Sequence, residues 1–259
     1  VNLSMIAFTR DVSPSIDRCE LVHLPRLPID LDRARLQHSA YEDALRQAGC
    51  RVHRLPDEPD LPDAVFVSDT AIVLDEVAAI ARPGAASRRA ETATVADALA
   101  RYRPLRRIEA PGTLDGGDVI RIGRTLYVGQ SARTNAAGIR QLATLLRSFD
   151  YAIQPVPFAG CLHLQTAVTP VAARTLLVNR AWVDPAAFAD VELIDVDPAE
   201  PFGANALWVG NLVLYPADCP RTRPRLEARG ITVVPVDMTE LAKAEAGVTC
   251  CCLLVPAVE

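Results

Sequence analysis

Apolar residues in this chain come in short runs, each introduced by polar side chains and followed by a second run. Five segments share that layout: "DAVFVSDTAIVL" from Asp63, "TLDGGDVIRIGRTLYVG" from Thr113, "CLHLQTAVTPVAARTLLVN" from Cys161, "ANALWVGNLVLYP" from Ala204 and "VTCCCLLVP" from Val248. The N-terminal "LSMIAFTR" completes the last of them. They recur roughly every 45 to 50 residues, a period at which internal repeats imply a propeller or an array. Helical periodicity fills the gaps. From Asp30 to Ala48, the residues Ala34, Tyr41, Leu45 and Ala48 fall on one face, and Gly49 supplies a stop. Val95, Leu99 and Tyr102 form a second stripe after a cap at Ser87, and Ile139, Leu142, Leu146 and Phe149 a third after Thr134 and Asn135.

No Ser/Gly linker or low-complexity tract interrupts the pattern, so residues 1–259 read as one α/β domain. With 27 Lys and Arg against 32 Asp and Glu, the chain lacks the basic surface that nucleic acid or an anionic membrane selects. Small molecules are the expected partners. No apolar run is long enough to span a bilayer, and the first residues do not resemble a signal peptide, which reads as a soluble, cytoplasmic protein. Seven cysteines, three of them adjacent, argue for thiols in a reducing compartment over a disulfide framework. No Walker loop, G-x-G-x-x-G turn or spaced C-x-x-C pair is present.

Read as an extended strand, "TCCCLL" puts Cys250 and Cys252 on one face and Cys251 on the other. Cys250, at the polar start after Gly247 and Thr249, is the best nucleophile candidate, and Cys251 and Cys252 are assigned to packing. The plain alternative is three small buried hydrophobes. A histidine can favour a thiolate or pass protons. Of the four, His23, His38 and His53 read as surface or capping residues, whereas His163 sits at the polar start of a repeat, the position Cys250 holds in its own. "LDGGDV" sets Asp115 and Asp118 around a Gly-Gly turn, as site carboxylates or as turn caps. "DAVFVSD", read as a strand, places Asp63 and Asp69 on one face, and buried carboxylates there call for a cationic ligand. Arg88 and Arg133 at helix starts, where the dipole disfavours a cation, hint at a bound anion.

Six stretches, "PDAVFVSD", "ARPGAASRRAE", "TLDGGDV", "VGQSARTN", "LHLQ" and "GVTCCC", together resemble the successive motifs of the dimethylarginine dimethylaminohydrolases, in order and at similar spacing over essentially the whole chain. That family belongs to the guanidino-group-modifying superfamily, and the resemblance implies a five-bladed α/β propeller with pseudo-fivefold symmetry. It implies Cys250 as nucleophile, His163 as general acid and base, and Asp115 as the carboxylate assisting it. Asp69 would hold the substrate guanidinium. Asp63, with the backbone carbonyls of Leu21 and Ala244, would bind the α-amine, while Arg88 and Arg133 clamp the α-carboxylate. The implied reaction cleaves Nω-methylated arginine to citrulline and methylamine or dimethylamine through a covalent thiouronium, with no metal or organic cofactor. A homodimer is allowed.

One departure stands out: Ser68 occupies a position where the family usually has a glutamate that helps hold the guanidinium. Losing a charge-assisted contact costs about 1.5 to 3 kcal/mol. Either Asp69 and Asp115 suffice, or the pocket is retuned for another guanidino or ureido compound such as arginine or citrulline. A non-catalytic binder of methylated arginine is the third alternative. The sequence reveals no lid; the polar N-terminal stretch from Thr9 to Leu21, close to the expected site, is the segment to watch for one.

Overall fold

The computed structural model describes residues 5–188 and 191–257. The stripe through Ala34, Tyr41 and Leu45 forms α1 (Leu31–Gln47), whose cap Asp30 accepts the Arg33 N–H. The second helix, α2 (Thr92–Leu99), follows a 3-10 turn over Ala86–Glu91. Ser87 lies inside that turn, and its hydroxyl donates to Glu20 and caps nothing. Asn135 caps α3 (Ala136–Leu146) through the Gly138 N–H. Three short helices follow: α4 (Leu164–Ala167), α5 (Arg223–Glu227) and α6 (Thr239–Ala242).

Strands assemble into five three-stranded sheets. In the first, β1 (Met5–Thr9) lies between β15 (Leu253–Pro256) and β2 (Cys50–Arg54), so the N-terminal run completes the last repeat as expected. In the next two, β4 (Ala78–Ile80) lies between β3 (Ala71–Val73) and β5 (Leu105–Arg107), and β7 (Thr125–Gly129) between β6 (Val119–Ile122) and β8 (Ala152–Val156). The last two set β10 (Thr175–Val178) between β9 (Val168–Ala172) and β11 (Glu192–Asp195), and β13 (Leu212–Pro216) between β12 (Leu207–Val209) and β14 (Thr232–Val236). Every middle strand runs antiparallel to its inner neighbour and parallel to its outer one.

The middle strands are apolar runs because both faces are covered, whereas the outer strands carry exposed polar residues such as Arg106 and Arg107. The hairpin between β6 and β7 turns at Gly123 with φ +57°, a conformation that suits glycine at the first position of a two-residue loop. Inner strands of all five sheets, through residues such as Ile72, Val119, Thr169, Leu207 and Leu253, line one cavity of about 340 Å³. Among the described residues no helix is long and apolar enough to cross a membrane.

Three expectations are corrected. "DAVFV" is not a strand: it is a buried turn leading into a 3-10 turn over Val67–Thr70, with Thr70 Oγ1 donating to the Val67 carbonyl. A short apolar run satisfied by local turn bonds is indistinguishable from a strand by composition. Cys250 and Cys251 likewise belong to a turn, β15 beginning only at Leu253, so strand alternation does not decide which thiol faces the site. His38 is fully buried, because its position continues the Ala34–Tyr41–Leu45 stripe of α1. There it faces Glu42, which accepts hydrogen bonds from Thr9 and Arg54, and burial, ahead of the opposing pull of Glu42, lowers the His38 pKa to about 4.

Candidate active site

Cys250 sits in the turn before β15, tied at both ends. Its N–H donates to the Gly247 carbonyl, the Gly247 N–H donates to Sγ at 3.3 Å, and its carbonyl accepts the Ser68 N–H. Asn205 holds the preceding residue, accepting the Thr249 N–H at 3.1 Å and donating to Thr249 Oγ1 at 2.8 Å. The other two thiols of the triplet, Cys251 and Cys252, are buried in the core beside Tyr41, matching their assignment to packing.

His163 caps the one-turn helix α4 with an extended backbone. Its ring is gripped by carboxylates on both sides, with Nε2 3.1 Å from Asp115 Oδ2 and Nδ1 3.8 Å from Asp69 Oδ1. Gly117 makes the room: a Cβ there would stand 2.7 Å from both His163 Nδ1 and Asp69 Oδ1. Asp115 Oδ1 accepts the Gly84 N–H, so the carboxylate cannot rotate freely. Asp118 accepts the Leu164 N–H and the Ser131 hydroxyl, which anchors the helix that carries His163. Neither carboxylate caps the Gly-Gly turn: Asp115 faces His163, and Asp118 braces α4.

Arg88 and Arg133 are both buried but differently used. Arg88 donates through Nη1 to Asp69 Oδ2 at 2.7 Å and through Nε and Nη2 to Glu91. Burial opposes its charge, yet Glu91 and Asp69 outweigh that and raise its pKa well above the ordinary value. The fork expected for a substrate carboxylate is here spent on internal partners. Arg133 Nη1 is enclosed without a hydrogen-bond partner among the described residues, its closest carboxylate oxygen being Asp115 Oδ2 at 3.9 Å. A buried guanidinium with a free donor is costly unless an anion meets it.

Cys250, His163, Asp63, Asp69, Arg88, Arg133 and Ala244 line one crevice, with Glu20 and Glu245 at its wall. Its volume, about 10 Å³, is room for about one water molecule. Leu21 is not among the residues lining it; it packs against the core next to Glu20, whose N–H donates to both Asp63 oxygens. Burial raises the Asp63 pKa despite Arg88 nearby. Ser68 is placed elsewhere: it lines the 340 Å³ cavity, and its buried Oγ has no partner among the described residues. A more apolar cavity of about 310 Å³ lies across the Glu245–Val248 segment, but it contains neither Cys250 nor His163.

The electrostatics set the resting protonation. Burial works against the imidazolium, but Asp69, then Asp115 and Asp118, raise the His163 pKa to about 9. Burial and the Asp69 charge push the Cys250 thiol up to about 11, against the Gly247 N–H. Burial likewise raises Asp118 to about 6. At neutral pH the site therefore holds an imidazolium and a neutral thiol. One atom from each of Asp69, Asp115 and His163 lies within 4.8 Å of the others, the spacing of a metal site. Both carboxylates, however, are already engaged, by Arg88 and Gly117 and by His163 and Gly84.

A family profile described as "N,N dimethylarginine dimethylhydrolase, eukaryotic" matches residues 28–181, which include Asp63, Asp69, Arg88, Asp115, Arg133 and His163. The N(G),N(G)-dimethylarginine dimethylaminohydrolase of Pseudomonas aeruginosa is 37% identical over 85% of this chain and 88% of its own length. The chain belongs to the dimethylarginine dimethylaminohydrolase family. Its namesake from Streptomyces coelicolor is 39% identical over 94% of each chain. A crystal structure of the P. aeruginosa dimethylarginine dimethylaminohydrolase, a Cys-to-Ser mutant complexed with citrulline, superimposes with a TM-score of 0.92 at 34% identity, covering 98% of this chain and 100% of that one. An arginine dihydrolase domain from cyanobacteria, 18% identical with a TM-score of 0.86, shares the fold. This dimethylarginine dimethylaminohydrolase-family chain is accordingly a hydrolase acting on C–N bonds.

Sequence reasoning missed Glu91, Asn205 and Glu245. Glu91 was legible as the i+3 partner of Arg88. Nothing local marks the other two, whose partners lie 40 or more residues away.

Proposed function

We propose that this enzyme hydrolyses Nω-methylated arginine to citrulline and methylamine or dimethylamine, with Cys250 as nucleophile. The carrying observation is the crevice itself, where a thiol lies among carboxylates suited to a guanidinium and beside Arg133, whose buried Nη1 has no hydrogen-bond partner among the described residues and suits a carboxylate. A free amino acid with a cationic side-chain end matches both.

A substrate guanidinium brought beside Cys250 favours the thiolate, offsetting the burial and the Asp69 charge that hold the thiol neutral. The thiol gives up its proton to solvent, and the thiolate adds to the guanidinium carbon. His163, already an imidazolium, gives its proton to the substituted nitrogen, and the C–N bond breaks to release the alkylamine. A thiouronium remains on sulfur. Neutral His163 then takes a proton from water, whose oxygen adds to that carbon; the C–S bond breaks to release the thiolate, and the adduct's remaining hydroxyl proton is lost to solvent to give citrulline. Asp115 keeps the imidazole oriented through both halves. Because the crevice holds about one water and Arg88 already fills Asp69's second oxygen, binding calls for Arg88 to exchange Asp69 for the substrate carboxylate.

We further read the five sheets as the blades of a five-bladed propeller in one catalytic domain. The common cavity walled by the inner strands supports this. The reaction is tested by offering asymmetric dimethylarginine, monomethylarginine, arginine and citrulline separately and following products by mass spectrometry. Citrulline from the methylated pair with arginine untouched supports the reading, and Cys250→Ser should abolish it. Ammonia from arginine or citrulline would instead support the second reading, a retuned pocket, which the neutral, displaced Ser68 favours.

A further inference from the structure

The segment from Cys19 to Ile29 has no helix or strand, and Val22 and Leu27 are half exposed on it. It is fastened over the crevice chiefly by carboxylates. Asp63 takes the Glu20 N–H, and Glu245 Oε1 accepts three consecutive backbone N–H groups, of Val22 at 3.1 Å and of His23 and Leu24. Glu245 is built for that reach. Its φ is +60°, the left-handed region that non-glycine residues seldom adopt, and its second oxygen is enclosed with no partner among the described residues. Two residues further on, the Gly247 N–H donates to Cys250 Sγ. One side chain thus joins the strap over the crevice to the turn that carries the thiol.

We infer that Glu245 is a positioning residue: it latches residues 20–24 over the crevice and so sets Leu21 and Asp63 against the substrate's α-ammonium. This rests on the crevice being the reaction site, but the latch is read without turnover. An anion accepting three successive N–H groups organises a segment that has little packing of its own. Its loss frees the strap while leaving the core, Cys250 and His163 in place. Substrates that lack the α-amine have nothing to lose.

The test compares wild type with Glu245→Ala, Glu245→Gln and Glu245→Gly. Glycine accepts the positive φ, so that variant separates the latch from backbone strain. Hydrogen exchange read by mass spectrometry on the peptide spanning Val22–Leu24, and trypsin cleavage after Arg26, should both accelerate about tenfold in the Ala and Gly variants, with Gln partly restoring protection through its carbonyl. Exchange in α1 and β15 should stay unchanged. With monomethylarginine, KM should rise about tenfold at little change in kcat, while 5-(methylguanidino)pentanoate, the same molecule without its amine, is used equally by all four proteins. Unaltered exchange over Val22–Leu24 in Glu245→Gly overturns the latch, as does an equal KM rise for both substrates. If neither compound is hydrolysed by any of the proteins, the proposed reaction fails, and the exchange comparison alone decides the latch.

Discussion

Alkylation of Cys250 by iodoacetamide should report a neutral resting thiol. Burial and Asp69 hold its pKa at about 11, and the imidazolium that could stabilise a thiolate is committed to Asp115 and Asp69 instead. At pH 8 such a thiol is ionised roughly one part in a thousand, against about a quarter for an exposed thiol of pKa ~8.5. Its greater basicity makes the thiolate more nucleophilic, and with a Brønsted coefficient of about 0.45 that returns a factor of about 13. The net expectation is labelling about 20-fold slower than a surface cysteine at pH 8, before any steric hindrance. Peptide mass spectrometry isolates Cys250, since the other six cysteines are buried. The logarithm of the rate should climb with unit slope from about pH 7 to about pH 10. Asp69→Asn, removing the charge that most opposes the thiolate, should move the curve to lower pH. A plateau below about pH 8, with labelling faster than a free thiol, would mean a resting thiolate–imidazolium pair and would refute this electrostatic reasoning.

His163 makes stability depend on pH. Its folded pKa of about 9 lies above the unfolded 6.5, so its contribution, up to about 3 kcal/mol, is complete below pH 6.5 and disappears as pH rises through 9. Urea midpoints of the wild type should fall over that window, and those of His163→Ala should fall less. Arg133→Leu removes the free donor expected to meet the substrate carboxylate, raising KM roughly ten- to a hundredfold while the melting temperature stays within a few degrees. Gly117→Ala puts a methyl group against the imidazole and Asp69, so turnover should fall at least about a hundredfold with the circular dichroism spectrum retained. Leu45→Ala, in the α1 core, should cost about 2 to 5 kcal/mol of stability without touching the chemistry.

The helices and the repeat were legible because each is a local pattern. The same Ala34–Tyr41–Leu45 spacing that located α1 also pointed at His38, and reading His38 as a surface residue set residue type above position. The runs around Val65 and Cys250 misled for the opposite reason: four or five apolar residues carry no period long enough to separate a strand from a buried turn. Gly117 was visible as a turn residue, but its real service, clearing space between an imidazole and a carboxylate, depends on His163 arriving from 46 residues away.

Charge was the least legible property and has the largest consequence. Each aspartate of the cluster could be nominated from its motif, but the protonation of His163 is a property of three of them converging on one buried ring. That convergence also decides the thiol. Carboxylates that keep the imidazole protonated repel a thiolate beside them, so at rest the imidazolium is present and the thiolate is not. Arg88 cannot resolve the conflict, because its charge is divided between Glu91 and Asp69. The missing positive charge must then arrive with the molecule to be cleaved, so a cationic guanidine would help to create the thiolate that attacks it. A neutral ureido compound brings no such charge. On this reasoning the site favours a guanidinium substrate even with Ser68 in place of a carboxylate, and an enzyme that consumed citrulline as readily as monomethylarginine would show that the thiolate is formed by some other means.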